Sequence, residues 1–552
     1  MLYRDIFKIL GLYILGFSGT LAIPLFLATY YQFWVDPTLH PQPHSSIYFL
    51  QSICICVPLG LILYAFGYKA KGIIYRREGL LVVMLIWFIT PALAALPFIL
   101  SGTLKSPFAA YFETASGYTT TGSTAMEPKR YDPTTGVEVP IQKTLTYGSL
   151  ETTYTFFGTI EPVRDPHTHK IIHEGIEAVS KALLFWRSFT QWLGGGGIVV
   201  LFVAILPILG VGGKVLFHTE ITGPLKNTLT PRIKETAMHL WKIYLGLTFF
   251  EIVLLMLTNS NMEWLDAVTI TFAALSTGGF SIHTANVGYY ASASTDWAVI
   301  LCMLLGSLNF SLYFYIVRGQ FYRIYESEFM IYLGIIIVAC AFASWLLIGN
   351  DQQLLANPSA TSVYSTGEAI RAATFHVVSA ITTSGFVYAN YDIWPFSIQV
   401  ILLIVMYLGG MSGSTSGGIK TMRLYMLFRI AQHKVESLFR PETMRTFRVG
   451  DKDVDTHVVT MALCFFLVLV TVSVLGIFLF ILDGNDPETS LGLVACMINC
   501  TGMTFRIGSP LYSCAFLSDF GYCLSSVLMI LGRLEFFAFL ALMVPAFWKK
   551  VS

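Results

Sequence analysis

Ten apolar stretches dominate this sequence, near 9–32, 47–68, 79–101, 181–210, 237–258, 296–317, 329–349, 395–430, 456–482 and 519–548. Each approaches or exceeds the roughly twenty residues with which a helix crosses the hydrocarbon core of a bilayer. With 55% hydrophobic and 12% charged residues, the chain has more apolar surface than a soluble core can hide. It reads as an all-α polytopic membrane protein with ten transmembrane spans in the lipid bilayer. Arg4 and Lys8 precede the first run, which is too long for a signal-peptide core and has no small-residue cleavage site, so it reads as a retained span. A net charge of +1 provides no basic face, and no nucleic acid is expected as a partner.

Charge sets the orientation. Lys69, Lys71, Arg76 and Arg77 lie in one connection, Lys214, Lys226, Arg232 and Lys234 in another, and Arg318 and Arg323 in a third. Seven more Lys or Arg residues from Arg423 to Lys452 follow the eighth run, and Lys549 and Lys550 end the chain. The alternate connections 35–46, 350–365 and 483–490 carry none. The positive-inside rule therefore puts both termini in the cytoplasm. Residues 125–177, polar and on the outer side, are the exception; long translocated loops are weakly constrained by charge. This insertion reads as a cap, a partner site or a disordered loop.

Half-apolar stretches at 107–117, 263–274, 367–380 and 486–498 each run into a cluster of small hydroxyl residues and glycine: TTTGST (119–124), LSTGGFS (275–281), TTSGF (382–386) and NCTGMTF (499–505). All four clusters fall on the outer side. Aligned on Gly122, Gly278, Gly385 and Gly502, they recur at similar intervals once the insertion is discounted, as four span, re-entrant loop, span units would. The division is then two additional N-terminal spans in 1–75, and repeats at 76–212, 213–320, 321–450 and 451–552. Irregular backbone at membrane depth survives only where it lines a watery path or is buried in protein. Four such loops around one axis can present a ring of carbonyls that replaces the hydration shell of a potassium ion, and glycine permits the backbone angles this needs. The candidate ion-binding residues are Thr120, Thr121 and Gly122; Ser276, Thr277 and Gly278; Thr383, Ser384 and Gly385; and Cys500, Thr501 and Gly502. The preceding stretches read as pore helices aiming their negative ends at the path. Asp266, Glu368 and Asp486 read as helix-start partners, and Glu113, later in its helix, as a support for the filter.

These features, with WRSFTQWLGGGGIVVL (186–201), TGPLKNTLTPRIKETA (222–237), GGMSGSTSGGIKT (409–421) and LGRLEFF (531–537), make the chain resemble the bacterial Trk potassium-uptake family over nearly its whole length. The two extra N-terminal spans favour the TrkH type over the shorter Ktr type, in a superfamily that also includes the plant HKT transporters. The resemblance implies a homodimer with one pore per protomer in the bacterial cytoplasmic (inner) membrane. It also implies K+ as the transported ion, moving inward, no organic cofactor, and a cytoplasmic nucleotide-binding regulatory ring of the TrkA type as partner. In the plant relatives a serine at the first filter glycine accompanies sodium transport; here that position is Gly122.

The run 409–421 breaks the eighth span with five glycines, which reads equally as a kink for close packing or as a moving part. The resemblance implies a gate beneath the filter, formed here by Gly409, Gly410, Gly413, Ser414, Thr415, Gly417, Gly418 and Lys420. Arg533 is an ionisable residue at membrane depth, and the resemblance puts it below the filter as a barrier to a passing cation. Arg187 reads as an anchor near the outer end of its span and Glu251 as an unassigned intramembrane acid. Arg506, Met503 and Thr504 depart from the family pattern; Arg506 would either repel cations at the mouth or pair with an acid of the insertion. A gated channel-like pore leads, a proton- or sodium-coupled potassium symporter using the same filter is the alternative, and a membrane enzyme finds neither HExxH nor CxxC. The histidines 167, 169 and 173 form the one local group, in a loop where solvation is the simpler reading.

Overall fold

The computed structural model describes residues 3–70, 76–132, 135–147, 150–165, 167–200, 233–439, 448–449, 452–453, 456–534 and 536–549. Lys71, Lys214, Lys226, Arg232, Glu535, Lys550 and the end of the fourth apolar run lie outside these residues. Among them, six helices are long and apolar enough to cross a membrane, and a seventh span arises if one bent pair is counted together. Helices α1 (Tyr3–Thr20) and α2 (Ala22–Phe33) form the first, α3 (Ser46–Gly67) the second, and α4 (Arg76–Ala94) with α5 (Leu96–Leu100) the third. α1 packs tightly along α3, with Gly11 and Gly67 each so close to the partner backbone that a Cβ would clash.

The remaining apolar runs depart from ten simple rods. α6 (Pro107–Tyr118) and α7 (Lys181–Val200) follow, then α8 (Ile233–Thr258) and α9 (Trp264–Leu275). The sixth run is two helices, α10 (Ala293–Ser307) and α11 (Phe310–Val317), bent by 95°; Asn309 caps the second by accepting from Ser311 N at 2.8 Å, which starts a new helix axis there. α12 (Ser327–Leu347) is continuous, and α13 (Thr366–Ile381) precedes α14 (Phe396–Leu408), where the eighth run stops. It resumes only at α15 (Thr421–Ser437). After α16 (Thr456–Leu482) and α17 (Pro487–Asn499), the last run is likewise divided, into α18 (Asp519–Arg533), α19 (Phe537–Met543) and α20 (Pro545–Trp548).

The fold is mostly helical, as expected, with short strands in its connections. The outer insertion contains three antiparallel two-stranded sheets: β1 (Arg130–Tyr131) with β2 (Glu138–Val139), β3 (Ile141–Tyr147) with β4 (Leu150–Phe156), and β5 (Val163–Arg164) with β6 (Ile171–His173). Ile141 and Phe156 bury against Ile507, beyond the fourth cluster. Tyr154 stacks edge-on against Phe516, and its hydroxyl donates to Asp486 Oδ1 at 2.6 Å. The described part of the insertion therefore packs on α17 and on the residues that follow the fourth cluster. His167 and His169 lie in an exposed turn of it.

α6, α9, α13 and α17 are the short buried helices at the centre, and alanines line them: Ala109, Ala110, Ala115, Ala273, Ala274, Ala372, Ala380 and Ala495 are buried. Small side chains let neighbouring backbones approach closely where apolar lipid gives no drive for association. Their starts carry ordinary capping chemistry. Ser365 and Glu368 form a reciprocal capping box, and Asp486 accepts from Thr489 N at 2.9 Å. Asp266 differs: it sits in the first turn of α9 without a capping bond and faces His283 at 3.5 Å.

Candidate functional site

The four central helices all end in the same backbone sequence. Thr120, Thr277, Thr383 and Cys500 have φ of 54°, 55°, 56° and 52°, and the glycine two residues later, Gly122, Gly279, Gly385 or Gly502, has φ of 88°, 77°, 78° or 75°. Between them, the N–H groups of Thr121, Gly278, Ser384 and Thr501 each donate to the carbonyl five residues back, on Ser116, Ala273, Ser379 and Cys496, at 2.7–3.0 Å. The second loop is therefore in register one residue later than the alignment on Gly278 supposed. Thr277, Gly278 and Gly279 match Thr120, Thr121 and Gly122, and Ser276 matches Thr119, the residue capping the helix. LSTGGFS offers two consecutive glycines, and composition does not say which takes the left-handed angles.

The loops close on one another in chain order. A Cβ built on Gly122 would collide with the carbonyl oxygen of Gly278, one on Gly279 with that of Ser384, one on Gly385 with that of Thr501, and one on Gly502 with that of Thr121. Each contact would fall inside the 3.0 Å that real Cβ atoms keep, so glycine is required by both space and φ. All twelve candidate ion-binding residues but Gly122 and Gly502 are buried, and those two are partly exposed, to the cavity above. Hydroxyls brace the loops from behind: Thr119 Oγ1 reaches Ala115 O and Thr121 Oγ1 at 2.7 and 2.8 Å, and Thr382 Oγ1 reaches Val378 O and Ser384 Oγ at the same distances.

Glu113 and Arg187 tie the first two loops together. Arg187 Nε donates to Glu113 Oε1 at 2.6 Å and its Nη1 to Ser281 O at 2.7 Å, with the guanidinium 3.6 Å from the centre of the Phe280 ring. Glu113 accepts from Thr124 Oγ1 at 2.9 Å and from Ala125 N at 2.8 Å. Arg187 is thus buried behind the loops rather than anchored at the outer end of its span. One turn along the same helix, Gln191 Nε2 donates to Gly278 O at 2.7 Å, and its Oε1 accepts from Phe280 N at 3.1 Å. Sequence reasoning missed Gln191, although its i+4 spacing from Arg187 put both on one helix face.

Above the loops lies a cavity of about 370 Å³ bordered by Gly122, Gly279, Gly385 and Gly502, and by Glu127, Arg130 and Glu174 of the insertion. Burial raises the Glu127 carboxyl, and its bond from Ser513 N opposes that rise. His283, also on the rim, lies 3.5 Å from both Glu177 and Asp266. Burial alone would lower its pKa, but the two carboxylates outweigh that and hold it above the ordinary imidazole value. Arg506 pairs with Glu488 of α17, not with an acid of the insertion, and its own N–H bonds Asp392 Oδ1 at 3.0 Å. The insertion reaches it through Lys143 Nζ, which donates to Arg506 O at 3.1 Å.

Below the loops runs the interrupted segment 409–420. Gly409, Gly413 and Gly418 have φ of 69°, 75° and 78°, and Lys420 opens α15 at 71°. Thr415 Oγ1 donates to Leu275 O and Gly306 O at 3.0 and 2.9 Å, and Gly417 N donates to Thr383 Oγ1 at 2.7 Å. A Cβ on Gly417 would strike Asn499 O. The segment is therefore pressed against the ends of α9, α13 and α17. Gly410 and Ser414 are buried within it. Arg533, the last residue of α18, is buried and acts electrostatically on Cys500. Glu251 is fully buried in α8 beside Cys302.

Residues 137–550 match the family model TrkH, described as a cation transport protein. The chain is 30% identical over 558 residues to the Trk system potassium uptake protein TrkH of Escherichia coli (strain K12), and 31% identical over 559 residues to that of Halomonas elongata; both comparisons cover the whole of each chain. It is 29% identical over 491 residues to the Trk system potassium uptake protein TrkG of Escherichia coli (strain K12), covering 87% of this chain and 88% of that one. The crystal structure of the potassium transporter TrkH from Vibrio parahaemolyticus superposes over the full length of both chains, with a TM-score of 0.77 at 28% identity.

Proposed function

This chain belongs to the TrkH family of cation transport proteins, and we propose that it takes up potassium through a channel-like pore whose filter is the ring formed by the four loops. The observation that carries the reading is the closed cycle of glycines against carbonyls, Gly122 to Gly278, Gly279 to Ser384, Gly385 to Thr501 and Gly502 to Thr121. Around such a ring, carbonyl oxygens replace the water of a dehydrated monovalent cation. The C-terminal ends of α6, α9, α13 and α17 add negative potential at the same point. Thr120, Thr277, Thr383 and Cys500 form the inner edge, and Glu113, with Arg187 and Gln191, supports the ring from behind. The four units are copies of one span, pore-loop, span design, and α1 to α3 are an addition to it.

Segment 409–420 is the gate in this reading, because its close fit under three pore-helix ends blocks the way inward. Arg533 adds a positive charge there that raises the barrier to a cation. Arg533→Ala then raises flux while preserving selectivity, and unchanged flux in reconstituted protein counts against the placement. The active assembly is a homodimer in the bacterial inner membrane, with both termini cytoplasmic and a nucleotide-binding ring of the TrkA type docked below. Potassium-dependent growth of an uptake-deficient strain tests the substrate. Rubidium flux into liposomes, with and without a pH or sodium gradient, tests the mechanism: flux that requires either gradient would replace the channel with a coupled symporter.

A further inference from the structure

We propose that Glu328 is the latch of the gate: its carboxylate, bonded to the backbone of Ser412, holds segment 409–420 under the filter and biases the segment toward its blocking position. The inference rests on the gate reading above. Glu328 lies in the first turn of α12 and is 6% exposed. Its Oε1 accepts a 2.7 Å hydrogen bond from Ser412 N, in the middle of the segment. One turn further along α12, Tyr332 donates from its hydroxyl to Ser307 Oγ at 2.9 Å, and Ser307 O accepts from Met411 N at 3.1 Å. Residues 411 and 412 are therefore gripped from two sides, by α12 and by the end of α10.

On the other arm of the segment, Lys420 Nζ donates to Ser416 O, and its charge acts on Glu328 electrostatically. Further contacts of the segment, from Thr415 Oγ1 to Leu275 O and from Gly417 N to Thr383 Oγ1, run between neutral groups. A bond to a carboxylate is about twice as strong as a neutral one where the carboxylate is ionised, and the Ser412 N–H and the Lys420 charge both favour that form at Glu328. A carboxylate this buried is retained only where other groups compensate it. Here that compensation comes from the segment itself, so moving the segment and uncovering Glu328 are one event. α12 is reached from the cytoplasmic side through the short turn Phe321–Tyr325. That turn ends three residues before Glu328.

The test uses the full chain in liposomes, reading rubidium tracer uptake. Glu328→Gln, which exchanges the charged acceptor for a neutral one, raises flux about tenfold, and Glu328→Asp, which keeps the carboxylate, falls between it and the parent. In a Ser412→Cys background, a membrane-impermeant thiol reagent on the cytoplasmic side modifies the new cysteine faster when Glu328→Gln is also present. Excision of residues 411–417 tests the gate independently. If excision raises flux while Glu328→Gln changes neither flux nor modification rate, the latch is overturned and the gate stands. If excision leaves flux unchanged, the gate reading fails, and the latch with it.

Discussion

Gly278 and Gly279 are adjacent and chemically identical, yet the structure gives them different work, and replacing each in turn separates the two. Gly279 has φ of 77°, where an L-residue costs about 1–2 kcal/mol. A Cβ there also collides with the carbonyl oxygen of Ser384, which would have to retreat by about 1.5 Å to restore van der Waals contact. That oxygen belongs to the ring, so the strain falls on ion coordination. At about 1.4 kcal/mol per factor of ten, Gly279→Ala lowers the potassium-to-sodium permeability ratio about tenfold, and Gly122→Ser, with the same geometry against Gly278 O, does likewise. A Cβ on Gly278 meets the carboxamide of Gln191, at 2.4–2.7 Å. That group can swing aside at the loss of two hydrogen bonds, each worth about 1 kcal/mol. Gly278→Ala therefore weakens the second loop without displacing a neighbouring carbonyl, and it changes selectivity much less. The assay is reversal potential or competitive tracer flux in liposomes with both ions present. Parental selectivity in Gly279→Ala, or a larger loss in Gly278→Ala, refutes the register and the ring with it.

Two further predictions concern what holds the ring from outside. Arg187→Met leaves the Glu113 carboxylate buried without its counter-charge, which costs about 3–5 kcal/mol; thermal unfolding in detergent measures it, and adding Glu113→Gln recovers much of the loss. A single variant as stable as the parent would show that the pair does not brace the loops. His283 gives a pH signature, since its pKa is raised in the folded chain by Asp266 and Glu177. Its contribution is complete below about pH 6.5, the unfolded imidazole value, and is lost as pH rises through the higher folded value. The melting temperature accordingly falls above neutral pH more steeply in the parent than in His283→Gln, and identical slopes in the two would dismiss the clamp.

The short central helices were legible because their boundaries carry chemical signals. Ser106 before Pro107, Ser365 three residues before Glu368, and Asp486 before Pro487 are helix starts by capping alone, and the hydroxyl and glycine clusters mark their ends. The register of the second loop was not legible, since either glycine of LSTGGFS fits the pattern and the choice depends on contacts with the third loop. The break between α10 and α11 was hidden because Gly306, Ser307, Asn309 and Ser311 are scattered through an otherwise apolar run, and only the capping by buried Asn309 fixes the turn. The β3–β4 hairpin could have been read: IQKTLTYGSLETTYTF alternates around a Tyr-Gly-Ser-Leu turn. Glu328 and Gln191 could not be assigned from spacing alone, because both act on backbone groups far away in the chain.

In the proposed filter, the fourth loop bears most directly on how ion selectivity would be encoded. Its sequence, NCTGMTF, shares little with TTTGST, and a comparison of side chains would place it outside the set. Yet Cys500 takes the same left-handed angle as the three threonines, Thr501 makes the same bond to the carbonyl five residues back, and Gly502 meets Thr121 O as Gly385 meets Thr501 O. What repeats is backbone, and a pore that coordinates through carbonyls needs nothing more from its side chains than that they be small enough at the inner edge. Met503 and Thr504 lie past the glycine and are buried, Met503 in the main apolar core, so their side chains are not part of the glycine-to-carbonyl cycle. Arg506 follows the same logic. With Glu488 on its side chain and Asp392 on its backbone, it does not add an uncompensated positive charge to the mouth, and the acids that meet it come from the membrane-embedded units. The insertion contributes Lys143 and the aromatic face of Tyr154 and Phe156 to that corner, where it fixes the position of the fourth loop's outer end, and its Glu127, Glu174 and Arg130 border the cavity above the ring.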